Sequence, residues 1–167
     1  MRALHYTAVD SPLGTLWLAA TDRGLCRLRI GGDEAGWIKL IAQEMGAPPV
    51  RDDNALAEAR RQLGEYFAGS RHSFDLPLDV RGSLFERRVW GECGHIPYGQ
   101  VRTYADLARA IGTTGAARAV GSALGRNPLP IVVPCHRVLR TDGSLGGYAA
   151  GLEAKRTLLS IEGCEQR

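Results

Sequence analysis

The chain has few features of an extracellular, metal-bound or membrane-embedded protein. It contains only four cysteines among 167 residues. No two of them form a CxxC pair, and no Cys/His cluster has the spacing of a zinc finger. No apolar run approaches the length of a membrane span, and the first residues lack the apolar core of a signal peptide. We therefore expect a cytoplasmic protein with reduced thiols, no structural metal, no cofactor and no membrane partner.

The basic residues are unevenly distributed along the chain. Hydrophobic residues make up 44% and charged residues 23%, which are ordinary globular values. The net charge is +3, yet residues 81–140 carry nine arginines against three acidic residues, a balance of +6. A localised basic field suits an anionic partner such as nucleic acid. A solvated basic surface would give the same pattern, so charge alone leaves both interpretations open.

The first half of the chain predicts a small α+β domain. Alternating apolar residues favour strands over residues 4–9, 15–20 and 25–30, with turns at 10–14 and 22–24. Helical patterns follow over residues 34–45 and 54–68. We assign residues 1–75 to an N-terminal domain with a small antiparallel sheet plus helices, and residues 76–82 to a connector.

The second half, residues 83–167, predicts a mainly helical domain. Ser83 can cap a first helix, and the spacing of Thr103 and Asp106 is that of a capping box at the start of a second. Gly112 ends that helix, and Thr113 or Thr114 can cap a third over residues 115–124. Two short helices joined by a glycine-containing turn predict a helix-turn-helix. A last helix is expected over residues 152–161.

A cysteine and a histidine follow the apolar run at residues 131–133. Three β-branched residues before Pro134 predict a short buried strand that stops abruptly. Cys135 next to His136 is a candidate activated nucleophile, although many buried cysteines are inert. Adjacent side chains of a strand point to opposite faces, so a water bridge between thiol and imidazole is expected rather than a direct bond. Glu162 is the candidate acid that orients the imidazole.

The predicted helix 115–124 consists almost entirely of small residues. Small side chains let a backbone approach another helix or a DNA groove closely. Arg118 is the one long side chain, so it is either a solvated surface residue or a probe that fills the gap left by a displaced base. Tyr104 is either packing or a hydroxyl donor to DNA. Asn127 is expected to fix the turn that leads to Cys135.

Taken together, these residues resemble the O6-alkylguanine-DNA alkyltransferases, also called methylated-DNA–protein-cysteine methyltransferases. The sequence Pro-Cys-His-Arg at 134–137 is similar to the active-site signature of that family. The similarity extends in order over residues 82–163, through 97–104, 116–121, 127–128, 147–148 and 162–163. The N-terminal half is similar chiefly at residues 10–14.

The resemblance implies irreversible, single-turnover transfer of an alkyl group from O6-alkylguanine in duplex DNA to Cys135. It implies binding from the minor groove, base flipping, and a protein that is monomeric when free and has no obligate protein partner. His136 and Glu162 would form the proton relay, Tyr104 would assist the leaving base, and Asn127 would be the hinge. The implied DNA-binding residues are Arg118, Tyr104, Ala117, Gly121 and Thr103, and the implied substrate pocket is formed by Val138, Tyr148, Ala149 and Pro130.

Some positions depart from the family pattern. Ala149 and Ala150 stand where some relatives carry a serine or a glycine. Thr21 and Cys26 stand where zinc-binding relatives have ligands, which gives no support to a zinc site. Activity on O4-alkylthymine stays open, as do two other classes of function. One is a binding module that recognises lesions without reacting, and the other is a general cysteine hydrolase.

Overall fold

Three strands near the N-terminus form an antiparallel meander, as the alternation of apolar residues predicts. The computed structural model describes residues 3–164. Strands β1 (His5–Ser11), β2 (Gly14–Thr21) and β3 (Gly24–Ile30) pair through two tight turns. A two-residue strand, β4 (Val50–Arg51), adds a parallel pair with β1 and gives the order β3-β2-β1-β4. The three predicted strands are antiparallel, and β4 makes the sheet mixed at this edge, where two residues are too few to show a pattern in the sequence.

Two helices complete this unit, which extends to Val80. Helix α1 (Glu34–Met45) begins where Asp33 accepts a hydrogen bond from the Gly36 amide. Helix α2 (Ala57–Phe67) begins three residues later than predicted, since residues 53–56 form turns. The core lies between α1 and the sheet, where the rings of Trp17 and Trp37 stack with centroids 6.4 Å apart.

The second unit, from Arg81 onward, is built from four helices. They are α3 (Leu84–Cys93), α4 (Tyr104–Ala110), α5 (Ala117–Gly125) and α6 (Leu152–Ile161). Strands β5 (Arg102–Thr103) and β6 (Val138–Leu139) form one short parallel pair. Capping boxes begin α3, with Ser83 and Glu86, and α4, with Thr103 and Asp106, as their sequence spacing predicts.

Helices α4 and α5, joined by residues 111–116, form the predicted helix-turn-helix. The predicted threonine cap of α5 is wrong. Helix α5 starts after Ala116 without a side-chain cap, and the Thr113 hydroxyl donates back to the Ala108 carbonyl at 3.3 Å. Gly115 has a φ of +91°, so the chain turns there before the helix can begin. The indole of Trp90 on α3 donates to the Ala123 carbonyl of α5 at 2.8 Å, which anchors α5 to the core of this unit.

Residues 131–133 form a tight turn, and the predicted buried strand is wrong. Ile131 has a φ of 76°, the one non-glycine residue with positive φ among residues 3–164, and only an isolated bridge joins Pro130 and Val133. Three prolines, at 128, 130 and 134, remove the backbone donors that a strand ladder needs. Cys135 consequently opens a single 3₁₀ turn, Cys135–Arg137, which leads directly into β6.

The described residues show neither a membrane span nor a metal cluster. None of the helices in residues 3–164 is long and apolar enough to cross a membrane. Within the same range, no group of three His, Cys, Asp or Glu side chains could hold a metal ion. Thr21 and Cys26 are both engaged in hydrogen bonds, the first to Asp79 at 2.6 Å and the second to the Ala19 carbonyl at 3.4 Å.

Candidate active site

Asn127 makes three hydrogen bonds around the turn before the 3₁₀ segment, one of them to the Cys135 thiol. Its amide nitrogen donates to the Cys135 sulfur at 3.2 Å and to the Val133 carbonyl at 2.9 Å. Its oxygen accepts from the Leu129 amide at 2.9 Å. One buried side chain therefore ties together the start, the end and the sulfur of the turn that precedes the 3₁₀ segment. Backbone bonds from Val133 to the Leu129 carbonyl and from Cys135 to the Val133 carbonyl, both 2.8 Å, also hold the turn, while its prolines supply no donor.

The thiol is largely enclosed, with 8% of the Cys135 surface exposed. Burial raises the pKa of this thiol, while the Asn127 donor and the positive charge of Lys155 oppose the shift. The thiol is consequently protonated at neutral pH. A nucleophilic thiolate at this position requires a base within the fold.

His136 is fully buried and bonded to Glu162 through one ring nitrogen. Its Nε2 lies 2.8 Å from Glu162 Oε2, and its Nδ1 has no hydrogen-bond partner among residues 3–164. A carboxylate can only accept, so Nε2 carries the hydrogen and Nδ1 keeps a free lone pair. Burial is the main cause that lowers the pKa of His136. The hydrogen bond and the charge of Glu162 oppose this shift, and the smaller effects of Arg137 and Lys155 add to it. His136 is therefore a neutral base at physiological pH.

Arg137 completes this buried chain of charges. Its Nε donates to Glu162 Oε1 at 2.7 Å and its Nη2 to Glu162 Oε2 at 2.9 Å, while Nη1 donates to the Ile96 carbonyl at 2.6 Å. Sequence reasoning quoted Arg137 within the motif but gave it no role. Its acidic partner lies 25 residues further along the chain, and only folding brings the two together.

Tyr104 packs its ring between α5 and the loop that precedes α6. A Cβ atom at Gly121 would lie 3.7 Å from the ring, and one at Gly146 would lie 2.6 Å from the hydroxyl. The Gly147 amide donates to the Tyr104 oxygen, but burial and the charge of Cys135 outweigh it and raise the pKa of the phenol. The hydroxyl therefore stays protonated and can donate a hydrogen bond.

The outward face of α5 is thin and carries one long cation. Arg118 is exposed and forms no ion pair with any residue in the described range 3–164. Ala117 and Gly121 are half-buried beside it. The Thr103 hydroxyl is already used, since it accepts the Asp106 amide at 3.0 Å to cap α4.

The four predicted pocket residues differ in their surroundings. Val138 is buried and its carbonyl binds Lys155. Tyr148 is half-buried with its hydroxyl inside, Pro130 is half-buried, and Ala149 is exposed. Direct hydrogen bonds thus join Cys135 with Asn127 and His136 with Glu162, whereas Arg118 and Ala149 lie at the surface.

Sequence reasoning also missed Lys155. This lysine is completely buried on the inner face of α6, next to Leu158 and Leu159. Positions 155, 158, 159 and 162 lie on one face of a helix. The sequence signal for a buried lysine was therefore an apolar stripe with a charged residue, Lys155 or Glu162, at each end.

Two family models cover nearly the whole chain. Residues 84–164 match the DNA binding domain of 6-O-methylguanine DNA methyltransferase, and residues 4–80 match its ribonuclease-like domain. The chain belongs to the 6-O-methylguanine DNA methyltransferase family. As a member it is a DNA-repair methyltransferase that transfers an alkyl group from DNA to a cysteine.

Individual members of this family align with this chain over nearly the full length of both proteins. A methylated-DNA–protein-cysteine methyltransferase of Mycolicibacterium paratuberculosis is 46% identical over 164 residues, covering 95% of this chain and 92% of that protein. The constitutive enzyme of Bacillus subtilis is 43% identical over 159 residues, covering 95% of this chain and 94% of its own. The crystal structure of Mycobacterium tuberculosis OGT in complex with DNA has a TM-score of 0.83 at 43% identity, with 95% and 92% covered.

Proposed function

We propose that the chain repairs duplex DNA by moving the alkyl group of O6-alkylguanine to Cys135, once per molecule. The observation that carries this proposal is that Asn127 bonds the Cys135 sulfur, while the next residue, His136, is buried, bonded to Glu162 and has an Nδ1 without a hydrogen-bond partner among residues 3–164. A thiol that is protonated at rest needs a base to become a nucleophile, and His136 is the candidate base that follows it in the chain.

The proton of the thiol is the first to move. We infer that one water bridges the Cys135 sulfur and Nδ1 of His136, so that His136 accepts the proton as the thiolate forms. The resulting imidazolium is stabilised by Glu162 through Nε2 at 2.8 Å. Arg137 keeps Glu162 ionised and correctly oriented, because it bonds both carboxylate oxygens.

The alkyl carbon then changes partners. The new bond joins the sulfur of Cys135 to that carbon, and the bond from the carbon to O6 of guanine breaks. Guanine leaves with the electron pair and takes a proton from the Tyr104 hydroxyl. The tyrosinate that remains regains a proton from the His136 imidazolium through solvent, so both residues return to their starting states. The product is a thioether without a carbonyl for water to attack, so the protein is consumed.

The lesion has to leave the base stack to reach a buried sulfur. Extrusion of a base costs a few kcal/mol, which contacts to the DNA must offset. The small residues of α5 permit close approach to the minor groove, and Arg118 is the long side chain available to fill the vacated position. The nearby excess of arginine provides the favourable field.

The test is a mass measurement on the intact protein. The wild type is incubated with excess duplex oligonucleotide that contains one O6-methylguanine, and peptide mapping locates the modification. We expect one methyl group per chain, on Cys135, and none in Cys135→Ser. Cys164→Ser is the matched control, because Cys164 is a more exposed thiol whose sulfur bonds the Gly99 carbonyl at 3.1 Å.

Other outcomes would select the other classes of function. Tight binding to the lesion without a change in mass would mean a non-reactive binding module. Repeated turnover on ester substrates would mean a cysteine hydrolase. Methylation of Cys164 in place of Cys135 would refute the assignment of the acceptor.

A further inference from the structure

Lys155 is an unusual residue in this chain. The sequence contains only one other lysine, Lys39, and arginine supplies the remaining basic side chains. Lys155 is fully buried, and it lies on the apolar face of α6 with Leu158 and Leu159. A buried cation at an apolar position is disfavoured unless it is fully bonded, so its contacts indicate its role.

All three donors of the Lys155 ammonium group are used. The Nζ atom donates to the Val138 carbonyl at 2.7 Å, to the Gly147 carbonyl at 3.2 Å and to the Leu145 carbonyl. An ammonium has three hydrogens and no acceptor, so this set is complete. Burial lowers the pKa of Lys155 to about 8, which leaves the charged form predominant at neutral pH. The hydrogen bonds of the charged ammonium group thus connect strand β6 with the loop before α6.

The segment that Lys155 fixes is the one that packs on Tyr104. Gly146 lies against the Tyr104 hydroxyl with a φ of +71°, and the Gly147 amide donates to the same hydroxyl. The ammonium also lies 5.9 Å from the centroid of the Tyr104 ring, within the range of a cation–π interaction. Lys155 therefore bonds the carbonyls on both sides of Gly146 and also contacts the Tyr104 ring.

We propose that Lys155 is a positioning residue, which sets the place of the 145–147 segment and the Tyr104 hydroxyl relative to Cys135. This proposal rests on the proposed function, because that function makes the Tyr104 hydroxyl the proton donor to the leaving guanine. The three hydrogen bonds of Lys155 go to backbone carbonyls and not to the Cys135 sulfur. Its effect passes through three backbone carbonyls, which would otherwise be buried with fewer partners.

The experiment compares two reactions of Cys135 in the full-length chain. One is methylation by duplex DNA that contains O6-methylguanine, which needs the base pocket. The other is alkylation by iodoacetamide, which needs only the thiolate. Its limiting rate at high pH is compared, because the thiol is then fully ionised and a change in its pKa no longer affects the rate. The variants are Lys155→Gln and Lys155→Arg, and Arg156→Gln is the matched control because Arg156 is the exposed neighbour on the same helix.

We expect Lys155→Gln to lower the rate with DNA on the order of a hundredfold, as small misplacements of a reactive geometry do. The limiting iodoacetamide rate should change by less than about threefold, because the turn that holds Cys135 depends on Asn127. Lys155→Arg, which retains the charge, should recover part of the DNA rate. If Lys155→Gln does not fold, the ratio of the two rates in Lys155→Arg decides, and an unchanged ratio in the folded variants overturns the proposal.

A second measurement separates this proposal from the function itself. Hydrogen exchange of the Gly146 and Gly147 amides in the DNA-free protein should accelerate in the Lys155 variants and not in Arg156→Gln. If the wild type never methylates Cys135, the proposed function fails, and exchange alone decides whether Lys155 fixes the segment. Unchanged exchange in Lys155→Gln would refute the positioning role.

Discussion

The guanidinium of Arg137 bonds both carboxylate oxygens of Glu162, at 2.7 and 2.9 Å, in the interior of the second unit. The same carboxylate accepts His136 Nε2, so one anion is shared between a fixed cation and the imidazole. A buried ion pair of this kind is weak evidence for stability, since desolvation opposes the attraction. Its consequence is orientation, because two parallel bonds leave the carboxylate a single geometry.

Replacing Arg137 with Met should destabilise the fold by about 3–5 kcal/mol, because Glu162 would remain as an uncompensated buried charge. Urea unfolding of the two proteins measures the difference. The double variant Arg137→Met/Glu162→Gln should regain most of this loss, since it removes the charge while Gln still accepts from His136. A double variant no more stable than Arg137→Met would show that the arginine acts through packing and its bond to Ile96 alone.

We expect His136 to determine how methyl transfer depends on pH. Burial lowers the pKa of His136 below 6.5 and raises that of the Cys135 thiol above its usual value. Between those two values the imidazole is neutral and the thiol is protonated, so the wild-type rate should be flat across neutral pH. The rate should fall only when the pH drops through the lowered pKa of His136.

His136→Phe should lose the neutral plateau. Its rate should rise about tenfold per pH unit up to the thiol pKa, because free thiolate becomes the reactive species. Single-turnover rates measured from about pH 5.5 to about pH 9, a range that spans the ordinary pKa values of histidine and cysteine, distinguish the wild type from His136→Phe. A flat profile in His136→Phe would remove the imidazole from the relay.

The regular elements could be predicted from local signals, and the site only in part. Capping boxes at Ser83 and Thr103 depend on residues three positions apart, so both helix starts are visible in the sequence. The turn at 131–133 was predicted as a strand, because β-branched residues outweighed the prolines around them. Strand propensity is a property of single residues, whereas the conformation of this segment depends on the flanking prolines, which have no backbone N–H.

Charged residues in the interior were the hardest to interpret. Residue chemistry singled out Cys135, His136 and Glu162, the family resemblance gave them roles, and the structure joins the last two directly. Arg137 and Lys155 escaped because their partners are a distant carboxylate and backbone carbonyls, which no pattern of residue types displays. Their roles follow from burial together with complete hydrogen bonding, and both require the folded chain.

Arg118 is expected to matter more in duplex than in single-stranded DNA. A side chain that fills the gap of an extruded base has no such gap to fill in a single strand. Arg118→Ala should slow repair of duplex DNA tenfold or more, the effect of losing about 1.4 kcal/mol, with a smaller loss on a single strand of the same sequence. Arg156→Ala is the control, as an exposed arginine on α6. Equal losses on both substrates would reduce Arg118 to a phosphate contact.

Of two adjacent glycines, Gly146 should be sensitive to an added methyl group and Gly147 should not. Gly146 has a φ of +71°, and a Cβ there would lie 2.6 Å from the Tyr104 hydroxyl, whereas a Cβ at Gly147 meets nothing within 4 Å and no positive φ is required. Gly146→Ala should therefore destabilise the fold by about 2–4 kcal/mol, from the left-handed backbone and the clash together.

Relief of that clash would move Tyr104 or the loop. Gly146→Ala should therefore also slow methyl transfer from DNA more than it slows alkylation of Cys135 by iodoacetamide. Gly147→Ala keeps the amide that donates to Tyr104 and should resemble the wild type in both assays. Thermal unfolding and the two rates can be measured on the same preparations. Equal behaviour of the two alanine variants would mean that the segment is not held against Tyr104, and the pocket built on that contact would have to be redrawn.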